Sequence, residues 1–313
     1  MSSAAREVPA GRGKRHDPIA CAAWMILSCA LLAGLAAIGR YVTTSGVPPF
    51  QVVFLRVVFA VITLAPLLAA RGRSFLHTDH WNVYAIRALT GSIAMLTWFS
   101  ALSLISVGEV TAISFLAPLF ATIGAALFLG ETVRFRRWTA TIIGFCGALV
   151  ILRPGLVELS VGSWLAVASA VAMGVSTIFI KRLADGDDPD KVVFLSSCLQ
   201  APLTLLPALF VWQWPEPWLW PFLIAMGPVA TLGHVTLTRA FAAADASFTM
   251  SFDFARLPFA VAFGYAVFGE IIDIWTWIGA AIIFAASLFI VHREAQLKKR
   301  MASVSVGPVS PRI

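Results

Sequence analysis

Two side chains of opposite charge, Asp253 and Arg256, lie three residues apart within a long apolar segment. On a helix this spacing puts both groups on one face, where they can pair. A charged residue at the centre of a membrane helix costs about 2.5 to 3.5 kcal/mol on insertion scales, so each charge needs a partner or water. The pair could lock its helix to a neighbour. It could also bind substrate, with Asp253 taking an ammonium group or a proton and Arg256 a carboxylate or phosphate; intramembrane charges favour this second interpretation.

Polar and aromatic residues in other apolar segments extend the candidate site. Ser114, Thr177 and His234 lie at depths that suit a cavity, although hydroxyl groups in helices commonly bond to their own backbone. Aromatic rings can stack on planar or cationic molecules, but in a helical bundle most of them simply pack. The aromatic candidates are Trp24, Trp98, Phe115 and Phe254.

Two further arginines lie within apolar segments and are predicted to serve the scaffold. Arg56 is about seven residues, or roughly 10 Å, from the nearer end of its segment. Its side chain is therefore expected to extend outwards or to cap backbone carbonyls. Arg87 lies close to the opposite end of the next segment, and we expect its side chain to reach the headgroups.

The segments that carry these residues are membrane helices. The 313-residue chain is 59% hydrophobic and only 12% charged, and its mean hydropathy is +0.86. Continuous apolar runs of about 20 residues predict spanning helices rather than the alternating strands of a barrel. We expect an all-α integral membrane protein with ten transmembrane helices, near residues 18–39, 49–70, 81–104, 109–129, 138–152, 161–180, 191–212, 218–238, 247–269 and 272–292.

The sequence repeats itself weakly at an offset of 139 residues. Gly130-Glu131 followed by Trp138 corresponds to Gly269-Glu270 followed by Trp277, and Pro118 matches Pro258 if one residue is inserted. The offset also relates Ser114 to Asp253. It predicts two five-helix repeats, residues 18–152 and 161–292, joined by a short loop.

Five helices per repeat make the second half enter the membrane with opposite orientation. The loop after Glu131 carries three arginines, Arg134, Arg136 and Arg137, whereas the equivalent loop after Glu270 carries none. Inverted repeats of this kind are typical of secondary transporters, in which the halves rock about a central site. Glu131 and Glu270 are predicted to be structural or gating residues, because glycine lets the chain turn and glutamate can accept bonds from the amides that open the next helix.

Basic residues set the predicted topology. Placing both termini in the cytoplasm leaves only Arg40 and Arg153 in outer segments, as the positive-inside rule requires. The tails, residues 1–17 and 293–313, are then cytoplasmic, and their basic parts can rest on anionic membrane lipids. Because the net charge of +7 is dispersed over loops, no nucleic-acid partner is expected. The single cysteines and isolated histidines predict no metal or cofactor.

These motifs resemble the ten-helix drug and metabolite transporters with paired EamA domains. The resemblance covers residues 18–292 and rests on Arg56 and on four runs: Trp98-Phe99-Ser100-Ala101-Leu102, Pro118-Leu119-Phe120 leading to Leu129-Gly130-Glu131, Arg256-Leu257-Pro258-Phe259 leading to Phe268-Gly269-Glu270, and Trp277-Ile278-Gly279. It implies that helices one, three, four, six, eight and nine line a central cavity and that the protein lies in the cytoplasmic (inner) membrane. Members export amino acids and related metabolites, and the pattern is also similar to branches that carry S-adenosylmethionine or riboflavin.

We therefore predict a secondary transporter that moves a small organic metabolite by alternating access. The alternative is a polytopic membrane enzyme acting on a lipid-linked substrate, but it would need clustered acids, histidines or a metal near one face. No phosphate-binding glycine loop of the Walker type occurs, so direct ATP drive is not expected. Proton coupling through Asp253 is a hypothesis. The sequence leaves the substrate, the direction of transport and the oligomeric state open.

Overall fold

The structure is a computed structural model, and it describes residues 18–72, 77–117, 119–120, 135–153, 160–184, 187, 189–243 and 255–285. In these ranges an α-helix overlaps each of the ten predicted spans, and several extend a few residues beyond the predicted ends. These helices are α1 (Pro18–Thr44), α2 (Pro49–Arg71), α3 (Trp81–Leu104), α4 (Val107–Ser114), α5 (Phe135–Leu152), α6 (Val161–Ala184), α7 (Pro189–Phe210), α8 (Trp220–Ala243), α9 (Arg256–Phe268) and α10 (Ile274–Ala285). The described ranges contain no β-strand, so the chain has the expected all-α membrane fold.

Large apolar side chains cover the outside of this bundle. Six of the described helices are long and apolar enough to cross a membrane, namely α1, α2, α3, α6, α7 and α8. Side chains such as Ile62, Leu89 and Phe210 face outwards and are exposed by 57%, 50% and 89%. Exposed apolar surface of this extent suits bilayer hydrocarbon, where each helix satisfies its own backbone.

Local signals set the helix ends. Proline occupies the first position of α1, α2 and α7, where its missing N–H costs nothing. The hydroxyl of Ser106 accepts a hydrogen bond from the Glu109 amide at 3.2 Å and so caps α4. Gly269 ends α9 in the left-handed region, at φ 66°, where glycine carries no steric penalty. The chain therefore turns at Gly269, as its sequence predicts.

Helix packing follows the internal repeat. The most extensive contacts join α3 to α6 and α1 to α8, and these two pairs are equivalent when the first five helices are matched to the last five. The contacts of α2 with α8 and of α3 with α7 form a second equivalent set. The two halves therefore interdigitate rather than lie side by side.

Glycines permit the closest helix crossings. A Cβ atom at Gly227 of α8 would overlap the backbone of Phe59 in α2. A Cβ at Gly279 of α10 would come within 2.5 Å of the Gly147 carbonyl oxygen in α5. Small residues let helix backbones approach, which is the main source of packing in a membrane bundle.

Candidate functional site

Three arginines lie near enough to one histidine of the bundle for their charges to act on it. The charges of Arg56 in α2, Arg87 in α3 and Arg256 in α9 all act on the imidazole of His234 in α8. These helices come from both halves of the repeat, so the cluster lies where the halves meet. Of its members, the sequence had assigned Arg256 and His234 to the site and Arg56 to the scaffold.

Arg56 does not extend towards the membrane surface. Its side chain is buried, with 9% exposure, and its Nη1 atom lies 2.6 Å from the sulfur of Met95 in α3. The Nε atom has no hydrogen-bond partner within the described part of the chain. Of the two orientations predicted for Arg56, outwards or capping backbone carbonyls, the outward one is wrong, because α2 packs against α3, α7 and α8 and the side chain is buried among them.

Arg87 also turns away from the headgroups, contrary to the sequence-based expectation. Its guanidinium lies over Gly91, one helical turn along α3, beside the amide of Gln200 in α7. Any side chain at Gly91 would collide with both groups. The Nε and Nη1 atoms of Arg87 are buried, and no hydrogen-bond partner for them lies in the described ranges. Gly91 thus creates the space into which Arg87 folds.

The carboxylates that the structure describes all lie near helix ends. They are Asp79, Glu109, Asp187, Asp190, Glu216, Glu270 and Asp273. Asp253, the acid expected beside Arg256, lies outside the described residues, as do Phe254, Pro118 and Glu131. The described part of the interior is therefore strongly positive.

The other predicted site residues divide between the interior and the surface. Ser114 is buried and donates to the Thr111 carbonyl at 2.7 Å, while Phe115 is also buried. Thr177 is exposed and donates to the Met173 carbonyl of its own helix at 2.8 Å. Pro258 is likewise exposed, on α9.

The two tryptophans of the predicted site contact other side chains. The Arg239 guanidinium carbon lies 5.1 Å from the ring centroid of Trp24, a distance typical of a cation–π contact. Trp98 packs edge-on against Phe99 with ring centroids 5.3 Å apart. The partners of these two rings, Arg239 and Phe99, are not members of the arginine cluster.

A network of charged side chains joins the two halves on the predicted outer side. Arg40 of α1 pairs with Glu270, Nε to Oε1, at 2.5 Å, and donates to the carbonyls of Leu102 and Ile105. The second oxygen of Glu270 accepts from the Val107 amide at 3.0 Å. Glu270 was expected to bond to amides that open the following helix, but it bonds to the amide that opens α4 in the other half.

A second outer ion pair joins Arg153, at the end of α5, to Asp273, just before α10, at 2.7 Å. The sequence analysis missed both partnerships. A signal for them existed, because Arg40 and Arg153 are the only arginines that the topology places outside. In the structure each of these two exceptions to the positive-inside bias is paired with an acid.

On the predicted cytoplasmic side, Asp187 links the two halves. It accepts hydrogen bonds from Thr78 at 2.9 Å, Tyr84 at 3.0 Å and Lys191 at 2.5 Å. Burial raises the pKa of this carboxyl, but the hydrogen bonds from Lys191, Thr78 and Tyr84 outweigh it, so the pKa lies below its ordinary value. Ion pairs and hydrogen bonds therefore connect the halves at both ends of the bundle.

Comparison with known proteins agrees with this architecture. The EamA-like transporter family matches residues 19–153 and again residues 160–292. A riboflavin transporter of Vibrio cholerae serotype O1 is 32% identical over 93% of this chain and 99% of its own length. An S-adenosylmethionine uptake transporter of Rickettsia bellii is 29% identical over 89% of this chain and 94% of its own. A solved crystal structure with 20% identity superposes with a TM-score of 0.61 over 90% of this chain and 99% of that one, which shows a shared fold.

The family match spans both halves of the chain, and the similar proteins are named as transporters of small molecules. The intramembrane enzyme considered as an alternative is therefore set aside. The chain belongs to the EamA-like transporter family and is a multi-pass membrane transporter of a small metabolite.

Proposed function

We propose that the substrate is riboflavin and that the arginine cluster contributes to its site. The observation that carries this proposal is the positive interior formed by Arg56, Arg87 and Arg256 around His234. Riboflavin is uncharged at neutral pH, and its planar ring presents carbonyl oxygens and ring nitrogens that accept hydrogen bonds. Guanidinium groups are rigid, multiple donors suited to such an edge.

S-adenosylmethionine fits this interior less well. It carries a sulfonium and an ammonium group against one carboxylate, so its net charge is positive. A like charge within about 4 Å costs roughly 4 kcal/mol at the effective dielectric of a protein site. Three relatives named as riboflavin transporters, at 29 to 32% identity, agree with this choice.

Alternating access is the mechanism we propose. The Arg40–Glu270 pair and the Asp187 hydrogen bonds each join the two halves, one at each end of the bundle. Opening one side requires breaking its contacts while the other set holds. We propose that the repeats run from 18 to 152 and from 161 to 292, in the inner membrane with both termini cytoplasmic. Asp253 is the candidate group for proton coupling.

The test is counterflow into proteoliposomes that contain the purified full chain and unlabelled substrate. Labelled riboflavin, S-adenosylmethionine and an amino acid mixture are supplied outside, with empty vesicles as background. We expect saturable accumulation of riboflavin, recovered unaltered by mass spectrometry, and at least a tenfold loss in Arg256→Gln. Thr177→Val is the matched control, because the exposed Thr177 hydroxyl bonds to its own helix. Accumulation of S-adenosylmethionine without riboflavin would overturn the assignment.

Proton coupling has its own readout. Riboflavin uptake is measured with and without an imposed pH gradient in the wild type and in Asp253→Asn. Coupling through Asp253 predicts that the gradient drives uptake only in the wild type, while both proteins still exchange labelled for unlabelled riboflavin. Equal gradient dependence in the two proteins would rule out this role.

A further inference from the structure

Arg56 and Arg87 hold buried guanidinium donors that the described part of the chain leaves unsatisfied. The Nε atom of Arg56 and the Nε and Nη1 atoms of Arg87 lack hydrogen-bond partners in the described ranges. Buried polar atoms are satisfied in the great majority of native proteins, and each exception needs an explanation. An acceptor that binds these donors during transport would explain why they have no partner in the described ranges.

The two arginines also repel each other. The charge of Arg87 acts on Arg56, and among the described residues the Arg56 guanidinium contacts the weakly accepting sulfur of Met95. Gln200 brings its amide beside Arg87, so α2, α3 and α7 together present donors to the same region. Two like charges held together in a membrane interior persist only if something compensates them.

The charge balance of the spans indicates how much compensation is needed. The predicted spans contain Arg56, Arg87 and Arg256 in their interiors, against the single acid Asp253. Pairing Asp253 with Arg256 would leave two positive charges. A phosphate group provides up to two negative charges, and its several oxygens can accept from two guanidinium groups at once.

We propose that Arg56 and Arg87, with Gln200, form an oxyanion subsite that binds a phosphate group within the translocation pathway. This inference deepens the proposed function, because the phosphate is either part of the substrate, as in riboflavin 5′-phosphate, or a free ion bound beside riboflavin. Both sources share the same chemistry. Carboxylate brings a single charge and sulfate is a weaker acceptor, so both bind less well than phosphate.

Direct binding tests the subsite without relying on transport. The full chain in lipid nanodiscs is titrated with inorganic phosphate, riboflavin 5′-phosphate and riboflavin at constant ionic strength, and tryptophan fluorescence or thermal unfolding reports binding. We expect a saturable response to at least one of the two phosphates. Arg56→Gln and Arg87→Gln should weaken that response by about tenfold or more, since each removes one charge-assisted contact. Arg239→Gln, which removes an exposed arginine stacked on Trp24, should leave it unchanged.

The outcomes separate the two sources and the two proposals. Saturation by riboflavin 5′-phosphate but not by inorganic phosphate assigns the group to the substrate, and saturation by inorganic phosphate assigns it to a bound ion. No saturable response to either phosphate in the wild type overturns the subsite, even if riboflavin counterflow is normal. Phosphate binding without riboflavin counterflow supports the subsite and overturns only the choice of riboflavin. If the glutamine variants do not fold, Arg56→Lys and Arg87→Lys, which keep the charge but lose the forked donor, replace them.

Discussion

Arg40 and Glu270, 230 positions apart in the sequence, form an ion pair of 2.5 Å that ties the first helix of one half to the turn after α9 in the other. The pair is mostly buried, with side-chain exposures of 16% and 13%. The Arg40 guanidinium also lies 5.4 Å from the centroid of the Phe268 ring. The ion pair and the contact with the Phe268 ring together join the two halves on the predicted outer side.

Glu270→Gln should destabilise the closed outer side. Removing one partner of a largely buried pair leaves Arg40 uncompensated, which costs on the order of 3 kcal/mol. We expect a lower unfolding temperature and greater labelling of a cysteine introduced at half-buried Ser45 by a membrane-impermeant thiol reagent. Arg153→Gln, at the more exposed second pair, is the matched control and should change both measurements less.

Exchanging the two charges should not restore stability. In Arg40→Glu with Glu270→Arg, the new carboxylate would face the carbonyls of Leu102 and Ile105, and the new guanidinium would face the Val107 amide. We expect the double variant to be no more stable than Glu270→Gln by thermal unfolding. Recovery to the wild-type value would show that the charges alone, without these backbone contacts, hold the outer side closed.

Asp187 should make stability depend on acidity. Its folded-state pKa lies below the ordinary 3.8, so its contribution is fully present above that pH and is lost as the pH falls through the folded value. Asp187→Asn should be less stable than the wild type at neutral pH, because Lys191 loses its ion pair. Thermal unfolding across pH 7 to 3 should show the difference shrinking in acid. A difference that stays constant would contradict the lowered pKa.

Gly227→Ala should disrupt the crossing of α2 and α8. The added methyl meets the Phe59 backbone, which cannot move aside as a side chain can, and overpacking of this kind costs about 1 to 3 kcal/mol. Gly34→Ala is the control, since its new Cβ would lie 3.8 Å from the Phe263 ring, at ordinary contact distance. Thermal unfolding of both variants gives the comparison. Equal stability would show that the helices separate at little cost.

Thr177→Val should leave riboflavin transport within about twofold of the wild type. The Thr177 side chain is exposed on α6 and bonds only to its own helix in the described contacts, and surface changes of this type usually shift stability by less than about 0.5 kcal/mol. The initial rate of counterflow is the measurement. A loss as large as that expected for Arg256→Gln would place Thr177 in the pathway.

The helices could be predicted from the sequence because their signals are local. Apolar runs of sufficient length, with Pro49 or Pro189 at the start and Gly269 at the end, set the elements without reference to neighbours. The internal repeat and the family motifs could also be recognised in the sequence. The side on which a polar residue lies within its helix is not set by such local signals. Thr177 was a candidate for the cavity, with a bond to its own helix as the commoner alternative, and its exposed hydroxyl bonds to its own helix.

Sequence alone determined the membrane class, the helix order, the two-repeat architecture and the transporter family, since all of these follow from composition and from motifs along the chain. Tertiary structure decided where the charges go. Arg56 was predicted to extend outwards or to cap carbonyls, and Arg87 to reach the headgroups, yet Arg56 is buried where α2 packs against its neighbours and Arg87 folds into the space at Gly91. Arg40 and Glu270 became partners only when α1 and α9 met. A long charged side chain can point in several directions from one backbone position, and only the neighbouring helices select among them.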